Sequence, residues 1–445
     1  KTTFTLGLLR ALKRRTYRVQ PFKCGPDYID THHHTMAAGC PSINLDSFIM
    51  TDTHLNDLYT YHTADADVAV TEGVMGLFDG FDGMAGSSAE IAIKLDIPIV
   101  LLINAKSMAY SVAPMIYGFK HFNPKVKVKG VVFNFVASEE HYSYLKQACL
   151  DVGVEALGYL PRQADIALPS RHLGLSLDGD CCFDTFADRI ALLVERHVDL
   201  DRLLTLCAYT PSSVDSEQTY HTPPNRFGVE SSGLRIAIAR DAAFNFTYEE
   251  NIRLLHAMGT VSYFSPLADT VLPEADFIYL PGGYPELYLK QLSNNKTLLT
   301  AIRTYAEAGG KLLAECGGMM YLCRDISDTD GIAWPMVGVL PQSATMKGMK
   351  LKLGYRTLKY NDFILKGHEF HYSCLLPQEV LLPSVAEAYD ATGRRVDTPL
   401  YRYKNVLAGY THLYWADKAT NHWFETIIKS NNHECCFENI HTRRR

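Results

Sequence analysis

Short apolar runs rich in β-branched residues, at positions 67–71, 97–103 and 128–133, alternate with amphipathic stretches from the start of the chain to residue 206. That alternation commits the first part of the chain to βα units. Parallel neighbours need a crossover connection, helices then cover both faces of the sheet, and the strands read as continuous apolar runs. The pattern restarts at residues 234–239, continues as a helix over residues 249–258, and reaches a further strand at residues 276–280 that ends in Pro281-Gly282-Gly283. Between the two series, residues 209–232 are rich in Pro, Ser, Thr, Asn and Gly, with Pro223 next to Pro224, and show little apolar periodicity, as a linker does. The chain has 445 residues, more than one hydrophobic core usually organises. The expectation is two α/β domains, residues 1–206 and 233–445, joined by a linker at 207–232.

Composition removes several function classes. With 47% hydrophobic and 21% charged residues the chain has enough apolar surface to fold. A net charge of −6, with no basic stripe before Arg443, Arg444 and Arg445, argues against a nucleic-acid partner. The longest apolar runs fall far short of the roughly 20 residues that span a bilayer, so no membrane segment is expected. Eleven cysteines without C-x-x-C spacing suggest neither a disulfide framework nor a zinc ribbon, and fit reduced thiols in a cytoplasm. The vicinal pairs Cys181/Cys182 and Cys435/Cys436 offer a redox-active or soft-metal site, but with no second pair at ligand spacing they read more simply as reduced thiols, buried or incidental. The opening at Lys1 reads as an internal helix whose preceding residues are missing.

Two clusters carry chemistry. Lys1-Thr2-Thr3 before a helical pattern is how a phosphate-binding loop ends, although the glycines of that loop fall outside this numbering and plain helix capping is the alternative. Lys23-Cys24-Gly25-Pro26-Asp27-Tyr28-Ile29-Asp30 places a cation and two carboxylates around a Gly-Pro turn, a way to hold Mg²⁺ near phosphates or a polar surface turn. The strand at 67–71 runs into Glu72-Gly73-Val74-Met75-Gly76-Leu77-Phe78-Asp79-Gly80. That sets a carboxylate at the carboxyl end of a buried strand, where α/β sheets bind ligands.

The second cluster is Lys311-Leu312-Leu313-Ala314-Glu315-Cys316-Gly317-Gly318, read as a strand, a sharp turn at Cys316 and a helix. Such an elbow is expected to expose the sulfur above the sheet, with the helix start favouring thiolate and the small Gly317 and Gly318 admitting substrate. The loop Pro281-Gly282-Gly283-Tyr284-Pro285-Glu286 can present N–H groups of an oxyanion hole, with Gly283 and Gly317 as its donors. His412, in Gly409-Tyr410-Thr411-His412-Leu413-Tyr414-Trp415, follows another short strand and serves as candidate general base. The consecutive His32, His33 and His34 cannot face one centre and read as surface or substrate-side residues. Gly367-His368-Glu369-Phe370-His371-Tyr372-Ser373 lacks H-E-x-x-H spacing. It reads either as a segment beside the Cys316 site or the substrate, or as packing between domains.

The segments at 23–30, 72–80, 157–161 and 168–175 resemble the cobyrinic acid a,c-diamide synthase family over nearly the whole chain. The resemblance implies a P-loop NTPase-like parallel-sheet domain similar to dethiobiotin synthetase, followed by a flavodoxin-like α/β domain of the class I, triad-type glutamine amidotransferases. It implies that Lys1, Thr2, Thr3, Lys23 and Asn134 serve ATP, Asn134 at the adenine edge. It also implies that Thr2, Asp27 and Glu72 hold Mg²⁺, and that Tyr28, Asp30 and Asp79 lie near the substrate carboxylate or its acyl phosphate. Cys316 and His412 are the implied glutaminase pair. The implied substrates are glutamine, ATP and a tetrapyrrole such as cobyrinic acid, and a homodimer is a candidate assembly. Nickel sirohydrochlorin or hydrogenobyrinic acid as substrate, a cobyric acid synthase, and a non-catalytic nucleotide-binding relic are the competing readings. Three positions depart from the family: Asn104 where an aspartate is expected, the apolar Phe135-Val136-Ala137, and Tyr414 where many triad enzymes carry Glu.

Overall fold

The computed structural model describes residues 1–162, 180–208, 227–229, 233–377 and 382–429. The family segment at 168–175, most of the expected linker, Cys435, Cys436 and the terminal arginines lie outside the described residues, as do the side chains of Cys181 and Cys182. The chain divides into two compact units, Lys1–Arg226 and Phe227–Arg445.

In the first unit β1 (Val19–Cys24) lies between β2 (Ile43–Leu45) and β3 (Val68–Glu72), all parallel. A second parallel sheet orders β4 (Ile99–Asn104), β5 (Val128–Val136) and β6 (Glu155–Pro161). The strand expected from residue 97 begins at Ile99. The Ile97 N–H closes the preceding helix on the Ala92 carbonyl, and Pro98 has no N–H to give a ladder. Helix α1 (Thr2–Arg14) turns Leu6, Leu9, Ala11 and Leu12 inward, where they share a core with Ala187, Ile190 and Val194 of the helix Asp180–His197. Helix α2 (Ile29–Ala38) follows β1 across the Gly-Pro turn.

The second unit is built on a six-stranded sheet. Its order is Leu400–Tyr403, Val406–Gly409, β10 (Lys311–Glu315), β9 (Phe277–Leu280), β7 (Leu234–Ala239), β8 (Gly259–Phe264), parallel except for the first pair. Strand β7 and the helix Glu249–Met258 occupy the residues expected from the sequence. Two further sheets were not expected. One has four short strands, and the other is a five-stranded antiparallel sheet around the hairpin of Lys352–Tyr360 and Phe363–His371, with His412–Leu413 at its edge. Cys316 therefore leaves the end of one sheet, while His412 belongs to another.

Candidate active sites

Strand β10 delivers Cys316 at a sharp bend. The residue has φ 47° and ψ −108°, a region that a side-chain-bearing residue occupies only under strain of order 1–3 kcal/mol. Its N–H is tied to the Gly409 carbonyl at 2.8 Å, and the helix Gly317–Leu322 follows at once. A side chain at position 317 would meet Pro285 Cδ at 2.8 Å and the Gly283 nitrogen at 3.0 Å, so only glycine lets the elbow and the Gly282-Gly283 loop approach this closely. On the other side of that loop, a Cβ at position 282 would run into the His412 ring. The elbow, the glycine loop and His412 are thus in continuous contact.

The electrostatics differ from expectation. Instead of standing clear of the sheet, the Cys316 side chain is buried, 3% exposed, with Sγ 3.6 Å from the Phe370 carbonyl. Burial pushes its pKa up and the Glu286 carboxylate adds to this, outweighing the opposing Gly317 N–H. The thiolate that a helix start was expected to favour is not the resting form. His412 is lowered to about 3, by burial first and then by the neighbouring His368 and His371. The pair therefore rests as thiol and neutral imidazole; the uncharged ring has a lone pair for the thiol proton, but burial leaves it a weaker base than an ordinary histidine.

Tyr414, where a third triad member was sought, packs edge-on against Tyr248 at 5.3 Å between ring centroids. The segment 367–373 is on the strand beside His412, with His368 directly opposite it. On this strand Glu369 binds His371 Nε2 at 2.8 Å, Arg356 Nε of the hairpin partner at 2.5 Å and the Thr398 hydroxyl at 2.9 Å. The segment thus borders Cys316 and His412, the first of its two readings. This buried ionic group was not legible in the sequence, because Arg356 and Glu369 meet through a hairpin that was not foreseen and Thr398 reaches them from a loop.

In the first unit, β1 and β3 bring a second cluster together. Lys23 Nζ donates to Asp30 at 2.6 Å and to Glu72 at 3.0 Å, and the Thr2 hydroxyl donates to the same two carboxylates at 3.2 and 3.0 Å. Glu72 also binds His34 Nε2 at 2.8 Å. His32 is exposed, whereas His33 and His34 are buried, which removes the surface alternative for these two and leaves the substrate-side one; α2 turns them inward and Glu72 gives His34 a partner. Burial opposes the charge of Lys23, yet Glu72, Asp30 and Asp27 outweigh it and its pKa is raised. Glu72 is lowered despite burial, by the bond from His34 and the charge of Lys23.

The other sequence candidates are more dispersed. Asp27 Oδ1 accepts the N–H groups of Ile29 and Asp30, capping the turn into α2, and Oδ2 lies 3.8 Å from Lys23. Tyr28 is buried and Thr3 half-buried. Lys1 Nζ donates to the Met75 carbonyl at 2.8 Å. Asp79 is exposed and accepts the Gly76 N–H at 3.0 Å. Asn134 Oδ1 accepts the Phe135 N–H at 2.9 Å, and Asn104 Oδ1 the Lys106 N–H at 3.0 Å. Among the described residues no three His, Cys, Asp or Glu side chains form a ready cation cage. A hydroxyl beside carboxylates nonetheless fits Mg²⁺, which keeps waters and phosphate oxygens and takes few protein ligands. No helix among the described residues is long and apolar enough to cross a membrane.

Comparison with known proteins supports both halves. Residues 1–175 match the CobQ/CobB/MinD/ParA nucleotide binding domain, and residues 235–420 match the CobB/CobQ-like glutamine amidotransferase domain. The cobyrinate a,c-diamide synthase of Listeria innocua is 39% identical over 93% of this chain and 93% of its own length. That of Salmonella typhimurium is 38% identical over 95% and 94%. The hydrogenobyrinate a,c-diamide synthase of Brucella abortus is 39% identical over 93% and 95%. Identity at this level across both units, with a strained cysteine elbow in one and a lysine–carboxylate cluster in the other, means that the chain belongs to the cobyrinate a,c-diamide synthase family.

Proposed function

We propose that this ATP-dependent, glutamine-using ligase of cobalamin biosynthesis amidates the a and c acetate carboxylates of cobyrinic acid. Cys316 attacks the carboxamide carbon of glutamine, His412 takes the thiol proton and passes it to the departing nitrogen, and ammonia leaves behind a thioester that water hydrolyses. The N–H groups of Gly283 and Gly317 are the candidate donors to the oxyanion. In the first unit Lys1, Thr2, Thr3 and Lys23 are the residues for the phosphates of ATP, with Asn134 for its adenine. Thr2, Asp27 and Glu72, joined by Asp30, would hold Mg²⁺. When bound, that ion would neutralise charge on the transferred phosphoryl group. Tyr28, Asp30 and Asp79 are proposed to face the carboxylate that becomes the acyl phosphate, which ammonia then converts to the amide.

The observation that carries this reading is the strained Cys316 set against the glycine loop that His412 abuts. Cys316→Ala should lower glutamine-driven amidation by more than about a thousandfold. Ammonium chloride should still support the reaction. Retained glutamine use in that variant would reject the assignment. The Brucella relative favours hydrogenobyrinic acid as a second substrate to be assayed beside cobyrinic acid.

A further inference from the structure

The nucleophile and its base come from different sheets, and one side chain spans the gap at the residues next to both. Glu315 ends β10 and immediately precedes Cys316. Its carboxyl accepts the N–H of Leu413, the residue after His412, at 3.1 Å. The other oxygen accepts the hydroxyl of Tyr279 on the neighbouring strand β9 at 2.7 Å, which fixes the direction of the carboxyl. The carbonyl of Leu413 is held as well, by Asn251 Nδ2 at 2.9 Å, and Asn251 Oδ1 accepts the Trp415 N–H at 3.0 Å. Both peptide groups of Leu413 are thus bound to side chains rooted in the six-stranded sheet and the helix Glu249–Met258, while His412 itself pairs with His368 in the five-stranded sheet.

From this geometry we infer that Glu315 is a positioning residue for glutamine hydrolysis: it fixes His412 relative to Cys316 by bonding the His412 segment to the end of the nucleophile's own strand. The inference rests on the Cys316–His412 reading. Glu315 is 2% exposed, so it has no access to glutamine and acts only through its neighbours. A side chain that sets the separation of two reacting groups governs the rate of the chemical step more than the binding of substrate, since misplacement by about 1 Å costs around a hundredfold.

The test uses the full chain and compares glutamine hydrolysis with ammonium chloride-driven amidation. Glu315→Leu fills the space without an acceptor, and should lower kcat for glutamine about a hundredfold while KM stays within about threefold and ammonia-driven amidation is unchanged. Glu315→Gln retains an oxygen for the Leu413 N–H and should restore kcat to within about threefold of the parent. Glu315→Asp keeps a carboxyl that falls short of Leu413, and should lose at least about tenfold in kcat. This milder variant keeps the test decisive where the leucine variant fails to fold. Parental kcat in the leucine or aspartate variant, or a glutamine variant as impaired as the leucine one, overturns the inference. If Cys316→Ala abolishes glutamine use while Glu315→Leu retains kcat, only this inference fails. If Cys316→Ala itself keeps glutamine use, the reading beneath it fails.

Discussion

Both candidate sites gather buried titratable groups at the carboxyl ends of parallel strands, Glu72 closing β3 and Glu315-Cys316 closing β10, yet they resolve burial in opposite ways. In the first unit Lys23 keeps its charge and Glu72 stays ionised, because opposite charges and hydrogen bonds lie within about 3 Å and outweigh the loss of water. In the second, at Cys316 and His412, the same loss of water outweighs the few interactions that oppose it, although nearby Glu369 stays ionised beside Arg356. Cys316 is pushed up, His412 falls to about 3, Glu286 rises to about 7 and Glu315 to about 8, each with burial as the leading cause. One site therefore stores fixed charge, as phosphate handling requires. The other keeps its reacting thiol and imidazole neutral, to move a proton only when sulfur attacks, and confines fixed charge to Glu369 and Arg356 on the neighbouring hairpin. The difference lies in the partners each strand end is given, since burial is common to both.

The largest test of that contrast is Lys23→Met. It removes the cation from two buried carboxylates, and breaking such a pair costs about 3–5 kcal/mol. The melting temperature of the first unit should drop. ATP-driven amidation should fall by more than about a hundredfold with glutamine or ammonium chloride as nitrogen source, because both require the activated carboxylate. Glutamine hydrolysis should persist. Equal loss of hydrolysis would show that the two sites are not chemically separate.

A smaller effect is expected from Gly282→Ala, in which the new methyl group meets the His412 ring. Hydrolysis of glutamine should fall about a hundredfold through misplacement of the base, with ammonia-driven amidation kept. Measured kcat values for the two nitrogen donors separate this outcome from general damage. A variant with parental hydrolysis would mean that the glycine loop does not set the position of His412.

The sequence exposed the parts of this architecture that depend on local signals. Strand β7 and the helix after it are readable from apolar period alone, and the Cys316 elbow from a strand followed by Cys-Gly-Gly. Lys23 and Glu72 were also marked, but as phosphate or metal contacts, and their mutual pairing depends on β1 lying beside β3. The choice between a surface and a substrate-side place for His34 was open for the same reason: only the parallel register of β1 and β3 brings Glu72 to meet the inward face of α2. Protonation was the least legible property. A helix start after Cys316 argues for thiolate when seen alone, whereas burial beneath the Phe363–His371 strand argues against it and prevails. That strand joins the site through antiparallel pairing with His412–Leu413, residues distant in sequence, and Thr398 reaches Glu369 from a loop, contacts for which the chain carries no short-range mark.

The finest test of the contrast is the pH dependence of stability. Glu315 holds its proton in the fold up to about pH 8, whereas an ordinary glutamic acid releases it near 4.5. The unfolded chain gains by ionising first, so this group's contribution is fully present below about pH 4.5, declines as pH rises and is lost by about pH 8. His412 acts in the opposite sense. Its folded value of about 3 lies below the ordinary 6.5, so its contribution is present above about pH 6.5 and lost as pH falls toward 3. The two slopes oppose each other between about pH 4.5 and 6.5, and Glu315 alone of the pair acts between about 6.5 and 8. Glu315→Gln deletes one slope and leaves the other. Relative to the parent, the variant should become more stable on going from pH 5 to pH 8, by up to about 4 kcal/mol at 1.36 kcal/mol per pKa unit. Denaturant melts of both proteins at the two pH values measure this directly. A pH-independent difference would mean that Glu315 is ionised in the fold, and that the strand end before Cys316, like the end of β3, keeps a buried charge.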